Sequence, residues 1–202
     1  MTNRQLLSVA IALPPGMDED AAVVIAAMAG RLGFSAVHLP EVPDNPALLA
    51  RLTVAAAPAL VVIDTAEEPG GIVRVNDPVK VSAARARLDT EGSSRPLLVA
   101  VPISIGRTVN EASARADLEP RFAGSRHPRL VGIFGSFEQA QQQVLALARA
   151  GADGLVLDVP VERDVADVLA QIRALVVGAT PELLNRVTTA SDPGPPRTVF
   201  GR

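Results

Sequence analysis

The sequence predicts a parallel α/β fold, on three observations. Apolar runs of strand length alternate with segments of helical period along the chain. The longer helical segments stop at glycine, the usual helix terminator. One passage also occurs twice. Arg31-Leu32-Gly33-Phe34-Ser35-Ala36-Val37-His38-Leu39 lines up with Arg149-Ala150-Gly151-Ala152-Asp153-Gly154-Leu155-Val156-Leu157. Each copy reads as helix end, glycine, turn and buried strand. A repeated (βα) unit with parallel strands follows, each crossover laying a helix on the sheet. On these grounds a barrel and an open doubly wound sheet stay equally open.

Residues 5–13 (QLLSVAIAL) read as the first buried strand. A helix follows over residues 18–32, with acidic groups in its first turn and Gly33 just past its end. Residues 36–40 (AVHLP) make the second strand. Asn45-Pro46 supplies an N-cap and an N1 proline for a helix through about Ala57. Residues 59–64 (ALVVID) form a third strand ending at Asp64, and residues 67–76 read as a loop or short hairpin around Gly70-Gly71. Asp77-Pro78 opens another helix, and residues 96–104 (PLLVAVPIS) are the fourth strand.

Asn110 to Leu118 reads as a short helix ended by Pro120, and residues 129–134 (RLVGIF) as a weaker strand. Ser136 and Gln139 form a capping box for a helix reaching Ala150. Residues 154–159 (GLVLDV) are the fifth clear strand. Val165, Val168, Leu169, Ile172, Leu175 and Val176 then share one helical face. A final short helix spans 180–187. This predicts one domain over residues 1–187 and a flexible tail over 188–202.

Composition narrows the partners. The 202 residues are 48% apolar with a net charge of −3, so no basic excess exists to hold a nucleic-acid backbone or an anionic membrane. The chain has no cysteine, which removes disulfides, thiol catalysis and Cys-based metal sites. The mildly apolar start is interrupted by Pro14, Pro15 and Asp18-Glu19-Asp20, too soon for a membrane span and poorly suited to a signal peptide. The expected compartment is the cytoplasm. With five Phe, no Tyr and no Trp, few side chains can stack on a cofactor ring. No P-loop, G-x-G-x-x-G or G-x-S-x-G element is present, and two histidines without cysteine make no zinc pattern.

Three segments, in order, resemble the luciferase-like monooxygenase superfamily of flavin- or F420-dependent (β/α) barrels. Arg31-Leu32-Gly33-Phe34-Ser35-Ala36-Val37-His38-Leu39-Pro40-Glu41 is similar to its helix-to-strand passage, AE-x-GF-x-x-hydrophobic-E. Asp77-Pro78-Val79-Lys80-Val81 through Arg87-Leu88-Asp89 to Arg95 is similar to its P-x-x-x-A…LD-x-LS-x-GR helix and turn. Val131-Gly132-Ile133-Phe134-Gly135-Ser136 through Gly151-Ala152-Asp153 is similar to its late G-S/T-P-E-x-V…GAD passage. The resemblance covers about half the chain and implies FMN or F420 as cofactor. Members usually run longer, and five clear strands with one weaker cannot close an eight-stranded barrel. The fold it implies is therefore a truncated or incomplete TIM-type (β/α) barrel. The family often has His after the strand-end acid, where this chain has Val42. A glycine-rich turn is replaced by Val101-Pro102-Ile103-Ser104.

The candidate site residues follow from strand ends and from this resemblance. Glu41 is the candidate catalytic group, just past a strand where parallel α/β folds place chemistry; its plainer reading is a solvated loop residue. Asp64, Ser104 and Asp158, also at strand ends, are candidate cofactor-binding groups. With Glu41, the two aspartates could hold a divalent cation, or they could cap the helices that follow. Arg95 matches the arginine of the family's LD-x-LS-x-GR turn, structural or paired with a phosphate. Counting alternation back from Glu41 turns His38 toward the helices. His127, with Arg126 and Arg129, lies in the one local basic cluster, a surface loop or a phosphate contact. Two functions are implied: a luciferase-like oxidoreductase, or a non-catalytic ligand-binding or partner subunit. Unpaired strand edges would be covered by homodimerisation or a paralogous chain.

Overall fold

In a computed structural model, residues 7–63, 72–122, 127–158 and 165–176 are described. The predicted Asp64, the 67–71 part of the predicted loop, the 180–187 helix and the 188–202 tail lie outside these residues. The elements are β1 (Ser8–Ala12), α1 (Glu19–Leu32), β2 (Ala36–Leu39), α2 (Pro46–Ala56), β3 (Leu60–Ile63), β4 (Val73–Val75) and α3 (Val81–Thr90). There follow β5 (Leu97–Gly106), α4 (Val109–Ala116), β6 (Ile133–Ser136), α5 (Phe137–Arg149), β7 (Gly154–Asp158) and α6 (165–176).

Local chemistry sets the helix ends as the sequence implies. The Asp18 side chain accepts from the Ala21 N–H, and Asn45 from Ala47 ahead of Pro46. Ser136 and Gln139 close a reciprocal capping box on α5. Such caps satisfy helix-end donors and contribute about 1 kcal/mol each. The glycines of the repeated passage, Gly33 (φ +76°) and Gly151 (φ +103°), both take backbone that side chains disfavour.

All strand pairs are parallel, in the order β3-β2-β1-β7-β5-β4, with β6 paired to the far half of β5. The fold is an incomplete TIM-type barrel: a parallel sheet with α1, α2, α3, α5 and α6 on its outer face, α4 against the inner face of β5 and β6, and no closing β3–β4 pair among the described residues. The repeat confirms the geometry, because its two strands flank β1. Ala36 pairs with Ala10, whereas its counterpart Gly154 pairs with Ser8. That is two residues of stagger across two strand spacings, matching the one residue per strand of an eight-stranded barrel.

Strand alternation sorts the core into two layers. Val9, Ile11, Val37, Leu39, Val99 and Leu155 face outward into one cluster with α1, α2, α5 and α6. Ala10, Ala12, Ala36, Ala100 and Val156 face inward and make a cluster of their own. Small residues suit the narrow inside of a barrel.

Two strands depart from the expected pattern. Val73–Val75, read from sequence within a loop or hairpin, is a parallel strand on Leu97–Val99. Three residues are too few to show a period, and the exposed edge of β5 supplies the pairing. The weaker strand begins at Ile133, not Arg129, because Pro128–Leu130 forms a 3-10 turn. The outer edge of β6 is closed by one side chain. Gln143 accepts from the Phe134 N–H at 3.2 Å and donates to its carbonyl at 2.6 Å, as a neighbouring strand would.

No helix among the described residues is long and apolar enough to cross a membrane.

Candidate functional site

The carboxyl ends of the strands bring polar groups together on the inner face. One transverse row reads Val62, His38, Ala12, Asp158, Pro102, each residue in register with the next. The row beneath it reads Leu60, Ala36, Ala10, Val156, Ala100, a floor in which three of the five residues are alanine. His38 and Asp158 therefore stand on either side of Ala12, about 10 Å apart at two strand spacings. His38 is buried, 6% exposed.

This placement corrects the expectation that His38 faces the helices. Its neighbours Val37 and Leu39 fill the helix-facing core, so His38 shares the inner face with Ala36 and Ala12. The alternation counted back from Glu41 fails because β2 ends at Leu39, before Pro40. Beyond a strand end, parity carries no information about faces.

Arg121 completes the row. After α4 the chain turns back, anchored by Phe122 against Phe134, Ala112 and Ala116. From there the Arg121 guanidinium spans the inner face of β5. One Nη pairs with the Asp158 carboxylate, and the other donates to the Ala100 carbonyl at 3.3 Å. That carbonyl would otherwise lack a strand partner. The Pro96 carbonyl accepts from Val73 of β4, so even-numbered carbonyls of β5 point to the β4 side. β4 stops opposite Val99, and β6 begins opposite Ile103. Arg121 fills the interval. On the next such carbonyl, Pro102, Gly132 packs so closely that a Cβ would lie 2.2 Å away. Burial lowers the pKa of Arg121 from its usual value; the Glu119 charge opposes this and the Arg74 charge adds to it.

Neither sequences catalogued into family models nor curated proteins match this chain. Solved structures do. Apo-MsnO8 aligns with a TM-score of 0.55 at 14% identity, over 86% of this chain and 98% of that one. A coenzyme F420 dependent tetrahydromethanopterin reductase from Methanopyrus kandleri aligns with a TM-score of 0.66 at 11% identity, over 87% of this chain and 100% of that one. This chain shares its fold with an F420-dependent reductase. At such identities the likeness concerns the fold alone, and chemistry must be argued from the residues.

The predicted site residues fall at different places on this frame. Glu41 lies exposed past the end of β2. Ser104 is buried, and its hydroxyl donates to the Ala112 carbonyl at 2.7 Å, tying α4 to β5. Asp158 sits in the polar row, where its carboxylate pairs with Arg121. Arg95 stands at the amino end of β5, donating to the Ile72 carbonyl at 3.2 Å, and so on the opposite edge from the others. Asp64 is outside the described residues. His127 caps the 3-10 turn, accepting from the Arg129 N–H, and lies edge-on to Phe134.

Among the described residues no three His, Asp or Glu side chains gather as a metal site. A cavity of about 10 Å³ lies beside Ser104, Arg115 and Glu119. A wider one of about 350 Å³ opens between α1 and α6, lined by Val24, Met28 and Val165.

Sequence reasoning missed Arg121 and Arg74. Arg74 carried a usable signal, since Ile72-Val73-Arg74-Val75 is rich in β-branched residues. Arg121 carried none: it follows a proline in an aperiodic stretch, and only the path of the chain brings it to Asp158.

Proposed function

We propose that this chain is a luciferase-like oxidoreductase of the FMN- or F420-dependent type, holding its cofactor at the carboxyl edge of the sheet. The observation that carries this reading is the polar row: a buried histidine, a one-residue alanine gap and a carboxylate–guanidinium pair. It stands at the edge where parallel (β/α) folds place their chemistry. The fold shared with an F420-dependent reductase supports the same reading.

The donor set fits the anionic portion of either cofactor. Arg121 offers a planar, permanently charged group, half-withdrawn from water, which strengthens its pairing with an anion. His38 supplies a ring nitrogen on the same face, and Ala12 keeps the space between them clear. Ser104 holds α4 against the end of β5, which steadies the segment carrying Arg121. Glu41, at the rim, is placed to orient a polar substrate from the solvent side. The cofactor, when bound, supplies the hydride or oxygen chemistry. The full chain purified from its native host should be yellow, or gain a visible band and a thermal shift with FMN or F420. A colourless protein unmoved by either would overturn the reading.

A second reading, a non-catalytic partner subunit, is favoured by one observation. β3 ends the strand order, and its residues Leu60–Ile63 include no charge to deter pairing. Leu60 is 68% exposed. This reading expects a dimer, or a complex with a longer paralogue, at micromolar concentration. A single monomeric species by light scattering, unchanged with that paralogue added, removes it.

A further inference from the structure

One helix breaks the plan of the sheet. In parallel (β/α) barrels the helices form an outer ring, yet α4 lies against the inner face of β5 and β6, beside Phe122 and Phe134. It covers the carboxyl half of β5, next to the polar row. Its apolar grip is small. The buried residues of α4 are Ala112 and Ala116, against Ala140, Val144, Leu145 and Leu147 on α5. Apolar stabilisation scales with buried area, so two alanines hold far less than such a face. Polar ties supply the rest. The Ser104 hydroxyl donates to the Ala112 carbonyl at 2.7 Å, and Arg115 donates to the Ile105 carbonyl. Arg121 reaches furthest, across β5 to Asp158 of β7, and both side chains of that pair are partly open to water. The form of the segment, by contrast, is held from within. Thr108 accepts from the Glu111 N–H at 3.2 Å, while the Glu111 carboxylate pairs with Arg115 and accepts from the Arg107 N–H at 2.9 Å. Gly106 makes the entry turn so tightly that a Cβ would lie 2.6 Å from the Ala112 nitrogen.

We propose that residues 107–122 form a gate on the inner wall, closed in this structure, with the Arg121–Asp158 pair as its clasp. Release of the clasp lets the segment lift from β5 as a unit, because the Thr108 cap and the Glu111–Arg115 pair travel with it. The ties given up are hydrogen bonds and one partly exposed ion pair, for which water substitutes at modest cost. The apolar contacts given up are those of two alanines and of Phe122 on Phe134. Lifting uncovers the wall at Ala100, Pro102 and Ser104, while the pairing of β5 with β6 and β7 stays whole. Such an opening is local and lies well below unfolding of the sheet. It requires no bound cofactor, so it stands apart from the cofactor reading above.

Native-state hydrogen exchange of the full chain, with no ligand added, tests the gate. In the wild type the amides of residues 112–118 should exchange through a local opening, faster than those of 9–11 and 155–157 in the central strands. Asp158→Asn, which removes the charge of the clasp, should speed the gate amides about tenfold and leave the central strands unchanged. Ser104→Ala, which removes a neutral tie, should speed them about threefold. If Asp158→Asn fails to fold, the wild type and Ser104→Ala decide the matter. Gate amides as slow as those of the central strands in the wild type overturn the proposal. Gate exchange unmoved by Asp158→Asn overturns it as well, as does exchange unmoved by Ser104→Ala. Equal acceleration of gate and central strands in either variant also overturns it, since the ties would then serve the whole sheet.

Discussion

The two edges of the sheet use their polar side chains to different ends, although both bind backbone. At the amino edge they bind backbone. The Asp153 carboxylate accepts from the Leu97 N–H at 2.8 Å and pairs with Arg85, which itself donates to the Gly151 carbonyl at 3.0 and 2.8 Å. The Ser35 hydroxyl donates to Val9 at 2.9 Å, and Arg95 to Ile72. Each bond pins a strand start or the loop that leads into it. At the carboxyl edge the partners include other side chains and the cover of the mouth: Arg121 with Asp158, Ser104 with α4. His38 lies within the row, and Glu41 faces solvent. The difference teaches a division of labour common in parallel (β/α) folds, in which one edge holds the sheet together and the other is left for chemistry.

Substitutions on the two edges should therefore fail differently. The largest effect is expected from Asp153→Ala, which strips the Leu97 N–H and the Arg85 guanidinium of their shared acceptor. A loss of about 3 kcal/mol is expected by urea unfolding. Any surviving folded protein should keep its ligand affinity. A weakened affinity at full folding would break the division between the edges.

Gly151→Ala comes next, at about 2 kcal/mol. Its φ of +103° disfavours a side chain, and the new Cβ would meet Arg85 Cγ at 2.6 Å, loosening the same clamp. A double-mutant cycle with Asp153→Ala should show coupling, since both changes act through Arg85. Strict additivity would mean that the clamp is not one unit.

The smallest effect on stability belongs to the carboxyl edge. Glu41→Gln should shift unfolding by less than about 0.5 kcal/mol, as surface substitutions do. If Glu41 orients a substrate, the same change lowers kcat/KM once a substrate is known. Unfolding shifted by several times that amount would instead make Glu41 a structural residue.

Much of this frame could be read in the chain beforehand, and the failures have physical causes. The caps at Asp18, Asn45 and Ser136, the turns at Gly33 and Gly151, and the long β5 depend on residues a few positions apart. β4 escaped because its three residues form a strand only against Leu97–Val99. Of the five candidate site residues, Glu41, Ser104 and Asp158 came out at the carboxyl edge because strand ends were legible. Arg95 did not, because it precedes its strand instead of following it.

By itself the sequence determined the alternation of strand and helix, their parallel sense and the ends at which polar residues would emerge. These follow from short-range periodicity, capping and turn chemistry, which act within a few residues. Only the tertiary structure decided which groups meet. Arg121 reaches Asp158 across 37 residues of chain, and His38 turns inward because its strand is pinned in register with β1 and β3. Such meetings depend on how whole elements pack, and no local pattern encodes the outcome.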